Sequence, residues 1–211
     1  MRYFDLHHHH RNISYGIYNL KLYETAPSHY FSAGIHPVFP GETAEKEWSW
    51  LYKSAANPNC LAIGECGLDA FSQRSEEKQE RLLVRQIELA NELRKPLIIH
   101  CVRSFPTLVA LSKKAEVPLV VHGFNKKETV GRLLYENDFY LSFGKSLLHN
   151  VNLQEFARQF PLERTFLETD AADFDLKQLY ILLADLKAMS LPQLQNKIAE
   201  NLKIFNIDLN E

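Results

Sequence analysis

Pro96-Leu97-Ile98-Ile99-His100 is a short apolar run that stops at a histidine. A run without polar alternation suits a parallel strand buried on both faces. The same unit recurs along the chain. Cys60-Leu61-Ala62-Ile63-Gly64-Glu65 ends in Glu65, Pro118-Leu119-Val120-Val121-His122 ends in His122, and Arg164-Thr165-Phe166-Leu167-Glu168-Thr169-Asp170 ends in Glu168 and Asp170. A helix-like stretch follows each unit, and alternation of this kind predicts a β/α architecture. Every unit ends in a side chain able to bind a metal.

The helices are legible from residues 75–94 outward. Glu76 and Glu77 open that stretch, where negative charge favours a helix N-terminus. Leu83, Ile87, Ala90 and Leu93 then recur at helical spacing, and Pro96 ends the pattern. Similar patterns run from Thr43 to Ala56, Phe105 to Ala115, Lys127 to Asn137, Asn152 to Gln159, Asp175 to Met189 and Leu191 to Phe205. Strands are expected near residues 3–8, 13–20, 30–35, 60–65, 97–100, 119–122, 139–143 and 165–170. Eight strands with helices between them predict a TIM-like (β/α)8 barrel, whose chemistry sits at the C-terminal strand ends.

The chain start departs from that pattern. Tyr3-Phe4-Asp5-Leu6-His7-His8-His9-His10 reads as a short strand with histidines at its exposed end. Residues two apart share a strand face, so Asp5, His7 and His9 point one way and His8 and His10 the other. An affinity-tag remnant is the competing reading of the run. It fits poorly, because the run follows an apolar-flanked Asp and no linker follows it. Few residues separate this strand from Ile13, whereas a parallel crossover ordinarily needs a dozen or more. The expectation is therefore a compact, irregular barrel that lacks its first two outer helices, with the second strand antiparallel and the cleft open on that side. Tyr15, Tyr18 and Tyr23 are candidates to shield the surface those helices would cover, with a partner chain as the alternative.

Composition bounds the rest. At 211 residues, 45% of them apolar, the chain is read as one domain over residues 1–211 with a substantial core. No apolar run approaches the ~20 residues of a membrane span, and no secretory leader is visible. The three cysteines, Cys60, Cys66 and Cys101, have no zinc-type spacing and are expected to be free thiols in a reducing cytoplasm. A formal charge of −2 gives no bulk attraction to nucleic acid, though it allows a local basic groove.

Taken together, Asp5-Leu6-His7-His8-His9, Gly34-Ile35-His36-Pro37, Ala62-Ile63-Gly64-Glu65-Cys66-Gly67-Leu68-Asp69, Leu97-Ile98-Ile99-His100, His122-Gly123-Phe124 and Leu167-Glu168-Thr169-Asp170 resemble the TatD family of metal-dependent hydrolases, within the larger amidohydrolase-type barrel group. They come in the family's order over about residues 3–170. Two departures stand out. The loop that usually follows the Glu-Thr-Asp motif is cut to Ala171-Ala172-Asp173, and the usual Arg two residues after His100 is Val102, with Arg103 one step later.

The resemblance implies two divalent metal ions. His7, His9, Glu65 and Asp170 would hold one, and Glu65, His100 and His122 the other. Two cations need an anionic bridge, and Glu65 is the natural one. Imidazole with carboxylate suits Zn and tolerates Mn, while Mg prefers oxygen; the identity stays open. Such a pair clamps both oxygens of an in-line displacement and yields hydroxide at neutral pH. Asp170 is the expected general base, and Asp170 and Glu65 the catalytic pair. His36, Arg103, Lys126 and Glu168 are the substrate-binding candidates. Glu168 has three further readings: contact with another metal, orientation of a ligand, and a buried pairing with Arg103. Asp5 is expected behind the ligands, Asp69 at the rim, and His8 and His10 in a loop or on the outer face.

The implied activity is phosphodiester hydrolysis, as in a TatD-like deoxyribonuclease acting on DNA. Two alternatives stay open. One is a metal hydrolase of a small phosphoester, another ester, an amide or a lactone. The other is a metal-binding protein without catalysis.

Overall fold

A computed structural model describes residues 3–39 and 45–207. Eight strands lie in sequence order in one sheet: β1 Asp5–His8, β2 Gly16–Leu20, β3 Phe31–Ala33, β4 Cys60–Asp69, β5 Leu97–Val102, β6 Leu119–Val121, β7 Phe139–Phe143 and β8 Thr165–Leu167. Every neighbouring pair is parallel. A parallel bridge between His8 and Asp170 brings the last strand back to the first. The architecture is thus a TIM-like α/β barrel.

The outer layer holds α1 Glu45–Ala55, α2 Glu76–Leu93, α3 Phe105–Ser112, α4 Glu128–Tyr135, α5 Val151–Gln159, α6 Lys177–Leu186 and α7 Leu191–Asn201. Local chemistry sets several of these ends. Arg94 closes α2 in the left-handed region, Lys95 N–H reaches back to the Ala90 carbonyl, and Pro96 starts the next strand. Ser190 and Gln193 form a reciprocal capping box on α7. The expected start of the first helix, Thr43, lies outside the described residues.

Among the described residues no helix separates β1 from β2 or β2 from β3. The second strand, however, runs parallel to both neighbours, with Asp5 opposite Gly16 and Tyr18 opposite Phe31. The antiparallel expectation is corrected, and the open cleft inferred from it falls too. The physical reason is strand length. β1 has only 4 residues, so the return covers about 13 Å, and extended chain supplies about 3.3 Å per residue. Residues 9–15 make that return without a helix. Ile13 N–H turns back onto the His10 carbonyl, and Asp5 N–H is met by the Tyr15 carbonyl.

Side chains from the return, from β2 and from the loop after it pair on this flank. The Tyr18 hydroxyl donates to Glu24 at 2.7 Å, Arg11 pairs with the same carboxylate, and the Tyr15 ring packs edge-on against Phe4. Tyr18 is buried, whereas Tyr23 stays half exposed at 50%.

Two glycines bring β4 and β5 together. A Cβ on Gly67 would lie 1.9 Å from the His100 carbonyl oxygen, and one on Gly64 would lie 2.4 Å from that of Ile98. Both have positive φ, at 142° and 154°, a region that glycine tolerates. The sequence around Glu65 is therefore dictated by close backbone approach, which sets Glu65 beside His100.

Candidate metal centre

Glu65 is the hub. Its carboxylate is 7% exposed, and its two oxygens face different partners. Oε1 lies 2.8 Å from His122 Nε2, 3.2 Å from His100 Nδ1 and 3.1 Å from His36 Nε2. Oε2 lies 3.6 Å from His7 Nε2 and 3.8 Å from His9 Nε2, and accepts the Asn19 amide at 3.0 Å. Asp170 Oδ1 completes the second side, 3.8 Å from His7 Nε2 and 3.3 Å from His9 Nε2.

Among the described residues, three groups have ligand atoms close enough to hold an ion: His7, Glu65 and His122; His7, His9 and Asp170; and His36, Glu65 and His100. The donor set fits a divalent cation. His7 is wholly buried, yet among the described residues neither ring nitrogen has a hydrogen-bond partner. Leaving such a group unpaired costs about 1–3 kcal/mol. Its 3.6 and 3.8 Å separations from the two carboxylates are too long for hydrogen bonds. They are close to the spacing of two ligands that each bind one ion at about 2.1 Å.

The surrounding side chains orient the imidazoles. Asp69 Oδ2 lies 2.9 Å from His100 Nε2, a contact that turns the Nδ1 edge of the ring toward Glu65. Asp69 is thus buried against a ligand candidate rather than placed loosely at the rim. His36 Nδ1 accepts the Val38 N–H at 3.1 Å, so its Nε2 carries the proton and points at Glu65 Oε1. Glu168 is fully buried. Its Oε1 accepts the Gly123 N–H at 2.6 Å and lies 3.4 Å from His122 Nδ1.

Arg103 does not meet Glu168. Its guanidinium covers the Phe71 ring at 4.6 Å. Lys126 is half-buried in the loop after β6, and among the described residues no hydrogen bond or ion pair links it to the centre. Asp5 faces Thr169 instead of the imidazoles, accepting its N–H at 2.9 Å and its hydroxyl at 2.6 Å. His8 lies on β1 rather than in a loop, on the face turned away from Glu65, as the alternation predicts. It is wholly buried beside the Tyr18 ring, and burial pushes its imidazole down to about 3, so it stays neutral. His10 is half-buried, 3.3 Å from the Ala172 carbonyl.

The electrostatics centre on one charge. Burial alone would raise the Glu65 carboxyl, but the charge of His122 and hydrogen bonds from His100, His122 and His36 hold it far below the carboxylate range. Burial would likewise lower His122, yet Glu65 and Glu168 hold it well above the usual imidazole value. Asp170 is lowered as well, because His9, His122 and His7 outweigh its partial burial. The cysteines are buried free thiols, and burial pushes Cys60 up to about 11 and Cys101 to about 12.

Three polar residues escaped the sequence reading. Asn19 on β2 accepts the Glu65 N–H at 3.2 Å as well as donating to Oε2. Gln79 and Gln86 lie on the buried face of α2. Gln86 closes both backbone groups of Ile35, and Gln79 closes both of Asp69. They thereby fix the strand ends that carry His36 and Asp69. Their sequence signal is a pair of amides seven residues apart within an apolar helical stripe.

A parallel barrel whose strand ends converge on a carboxylate ringed by imidazoles defines a class, the metal-dependent hydrolase barrels. The match to a family model described as TatD related DNase, over residues 14–206, is more specific. The chain belongs to that family. It is 28% identical over 199 residues to the uncharacterized metal-dependent hydrolase YabD of Bacillus subtilis, covering 85% of this chain and 78% of YabD. It is 32% identical over 155 residues to the human deoxyribonuclease TATDN3, covering 65% of this chain and 56% of the relative. The chain thus spans little more than half of that relative's length. Among solved structures, the TatD homologue YJJV of Escherichia coli superposes with a TM-score of 0.82 at 19% identity, over 97% of this chain and 98% of the other. At that identity the likeness speaks for the fold alone. No helix among the described residues is long and apolar enough to cross a membrane.

Proposed function

We propose that this chain hydrolyses phosphodiester bonds, with DNA as substrate, at a centre of two divalent ions bridged by Glu65. One observation carries the reading: the two oxygens of a single buried carboxylate face separate sets of ligand-type side chains. His7, His9 and Asp170 would hold one ion with Oε2, and His100 and His122 the other with Oε1. Zn or Mn suits this nitrogen-rich set better than Mg. Bound there, the cations would polarise the phosphoryl group and make water acidic enough to react at neutral pH.

The chain's own residues account for the remaining work. The lowered Asp170 carboxyl and the 43% exposure of its side chain support a role as the base that takes a proton from the attacking water. His36 Nε2–H points at Glu65 Oε1, and it would serve a non-bridging phosphate oxygen by exchanging that partner. Arg103 and Lys126 supply positive charge at the loops that follow β5 and β6. Glu168 and Asp69 fix the ring orientations of His122 and His100.

A phosphodiester substrate, rather than an amide or lactone, rests on the family description and on the name of TATDN3. The buried free thiols suit a reducing compartment such as the cytoplasm. The test is direct. Purified protein is assayed for bound metal, then incubated with single-stranded DNA and a panel of simple phosphodiesters in Mg, Mn or Zn. Metal-dependent cleavage abolished by a chelator is the expected result. Failure on every phosphodiester, with turnover of an amide or lactone, would overturn the substrate assignment.

A further inference from the structure

Phe71 is 68% exposed at the end of β4, and the loop that carries it is well braced. Ala70 N–H bonds the Val102 carbonyl at 3.1 Å, Phe71 N–H bonds Asp69 Oδ1 at 2.8 Å, and Ser72 N–H bonds the Asp69 carbonyl at 3.0 Å. The Ser72 hydroxyl donates to the Pro37 carbonyl at 2.9 Å, and Arg74 donates to that of Phe39 at 3.0 Å. A large apolar ring is thus held out into water by fixed backbone, where fraying would let it fold away. Lone exposed hydrophobics are common and need no special cause. This one differs in where it is tied. Asp69 accepts from Phe71 N–H through one oxygen and from His100 Nε2 through the other, and His100 Nδ1 faces Glu65.

Arg103 adds a second observation. It stands three residues beyond His100 in the left-handed region, at φ 61°, and lays its guanidinium over the Phe71 ring. Among the described residues no carboxylate pairs with it, so its charge is available to a phosphate. Arginine planes and aromatic rings are the groups on which splayed bases stack in single-stranded nucleic acid.

We propose that Phe71, backed by Arg103, is a stacking platform for an unpaired nucleobase next to the phosphodiester bound at the Glu65 centre. The proposal rests on the phosphodiesterase reading above and narrows its substrate to single-stranded or frayed nucleic acid. Paired bases keep their faces stacked within the duplex and cannot use the ring.

Two arms test it. In the first, KM is compared for a single-stranded oligonucleotide and the same strand with abasic spacers flanking the cleaved bond. Wild type should prefer the intact strand by roughly 5- to 150-fold, the loss that follows from removing one stacked base. That preference should collapse in Phe71→Ala and survive in Phe71→Trp. An equal preference in wild type and Phe71→Ala overturns the platform and leaves the hydrolase reading intact. In the second arm, the fluorescence of Phe71→Trp is followed during titration with the oligonucleotide without turnover. Quenching that is weaker with the abasic strand supports stacking, and identical traces overturn it. If wild type cleaves no phosphodiester, the function reading fails on the first arm, while this second arm still decides the platform.

Discussion

Asp170 and His7 are joined through the backbone: Asp170 N–H donates to the His7 carbonyl at 2.9 Å. His9 N–H returns a bond to the Asp170 carbonyl at 3.0 Å. The contact that brings β8 back to β1 therefore also sets three ligand candidates beside one another. Closing the barrel and building that half of the centre use the same pair of backbone hydrogen bonds.

Asp170→Asn separates the two roles of this residue. The backbone bonds to His7 and His9 do not involve the side chain, so the fold should persist. A neutral amide cannot take a proton, and hydrolysis of single-stranded DNA should fall about 10²- to 10⁴-fold. The check is kcat alongside the thermal midpoint. Wild-type turnover in the metal-loaded variant would remove Asp170 as the base.

Asn19 holds Glu65 by two hydrogen bonds, one to the carboxylate and one from its N–H. Asn19→Ala leaves both groups short of a partner and frees the bridging side chain to turn. Metal affinity should weaken about 10- to 100-fold, as it does for lost partners of metal ligands. Competition with a chromophoric chelator measures it. An unchanged affinity would show that Glu65 is held without Asn19.

Much of the architecture was legible in the chain because apolar runs and helical stripes report burial directly. The runs ending in Glu65, His100, His122 and Asp170 each became a strand leading to the centre. The direction of β2 does not follow from the crossover length typical of helical connections, because β1 has only 4 residues and an extended return suffices. Asn19, Gln79 and Gln86 were missed for a different reason. A polar side chain within a buried stripe is visible as an interruption, but nothing in the chain identifies the distant backbone groups it completes. Asp69 was read as a rim residue because sequence order carries no information on the 2.9 Å contact with His100.

Gln86 tests that bracing through stability. It is wholly buried and satisfies both backbone groups of Ile35, at 2.7 and 3.1 Å. Gln86→Leu preserves bulk but strands an N–H and a carbonyl in the core, at a cost of about 1–3 kcal/mol each. Urea unfolding should show a lower midpoint with an unchanged slope. A variant as stable as wild type would mean that water or a shifted helix satisfies Ile35.

Asp5 predicts a pH dependence. Burial raises its carboxyl from 3.8 to about 7, despite hydrogen bonds from Thr169. A raised carboxyl binds a proton more tightly in the folded chain than in the unfolded one. Its contribution is therefore fully present below pH 3.8 and is lost as pH rises toward about 7. Asp5→Asn can still hydrogen-bond Thr169 and carries no charge at any pH. Its stability relative to wild type should rise across that window and level off above it. Parallel stability curves for the two proteins would contradict the raised value.

The central claim is that Glu65 bridges two cations, and anomalous scattering from a metal-loaded crystal tests it most directly. The account predicts two peaks, one on each side of the Glu65 carboxylate. One should lie within ligand distance of His7, His9 and Asp170, and the other within ligand distance of His100 and His122, with both lost in Glu65→Gln. A single peak, or ions bound away from Glu65 and retained in Glu65→Gln, would contradict it.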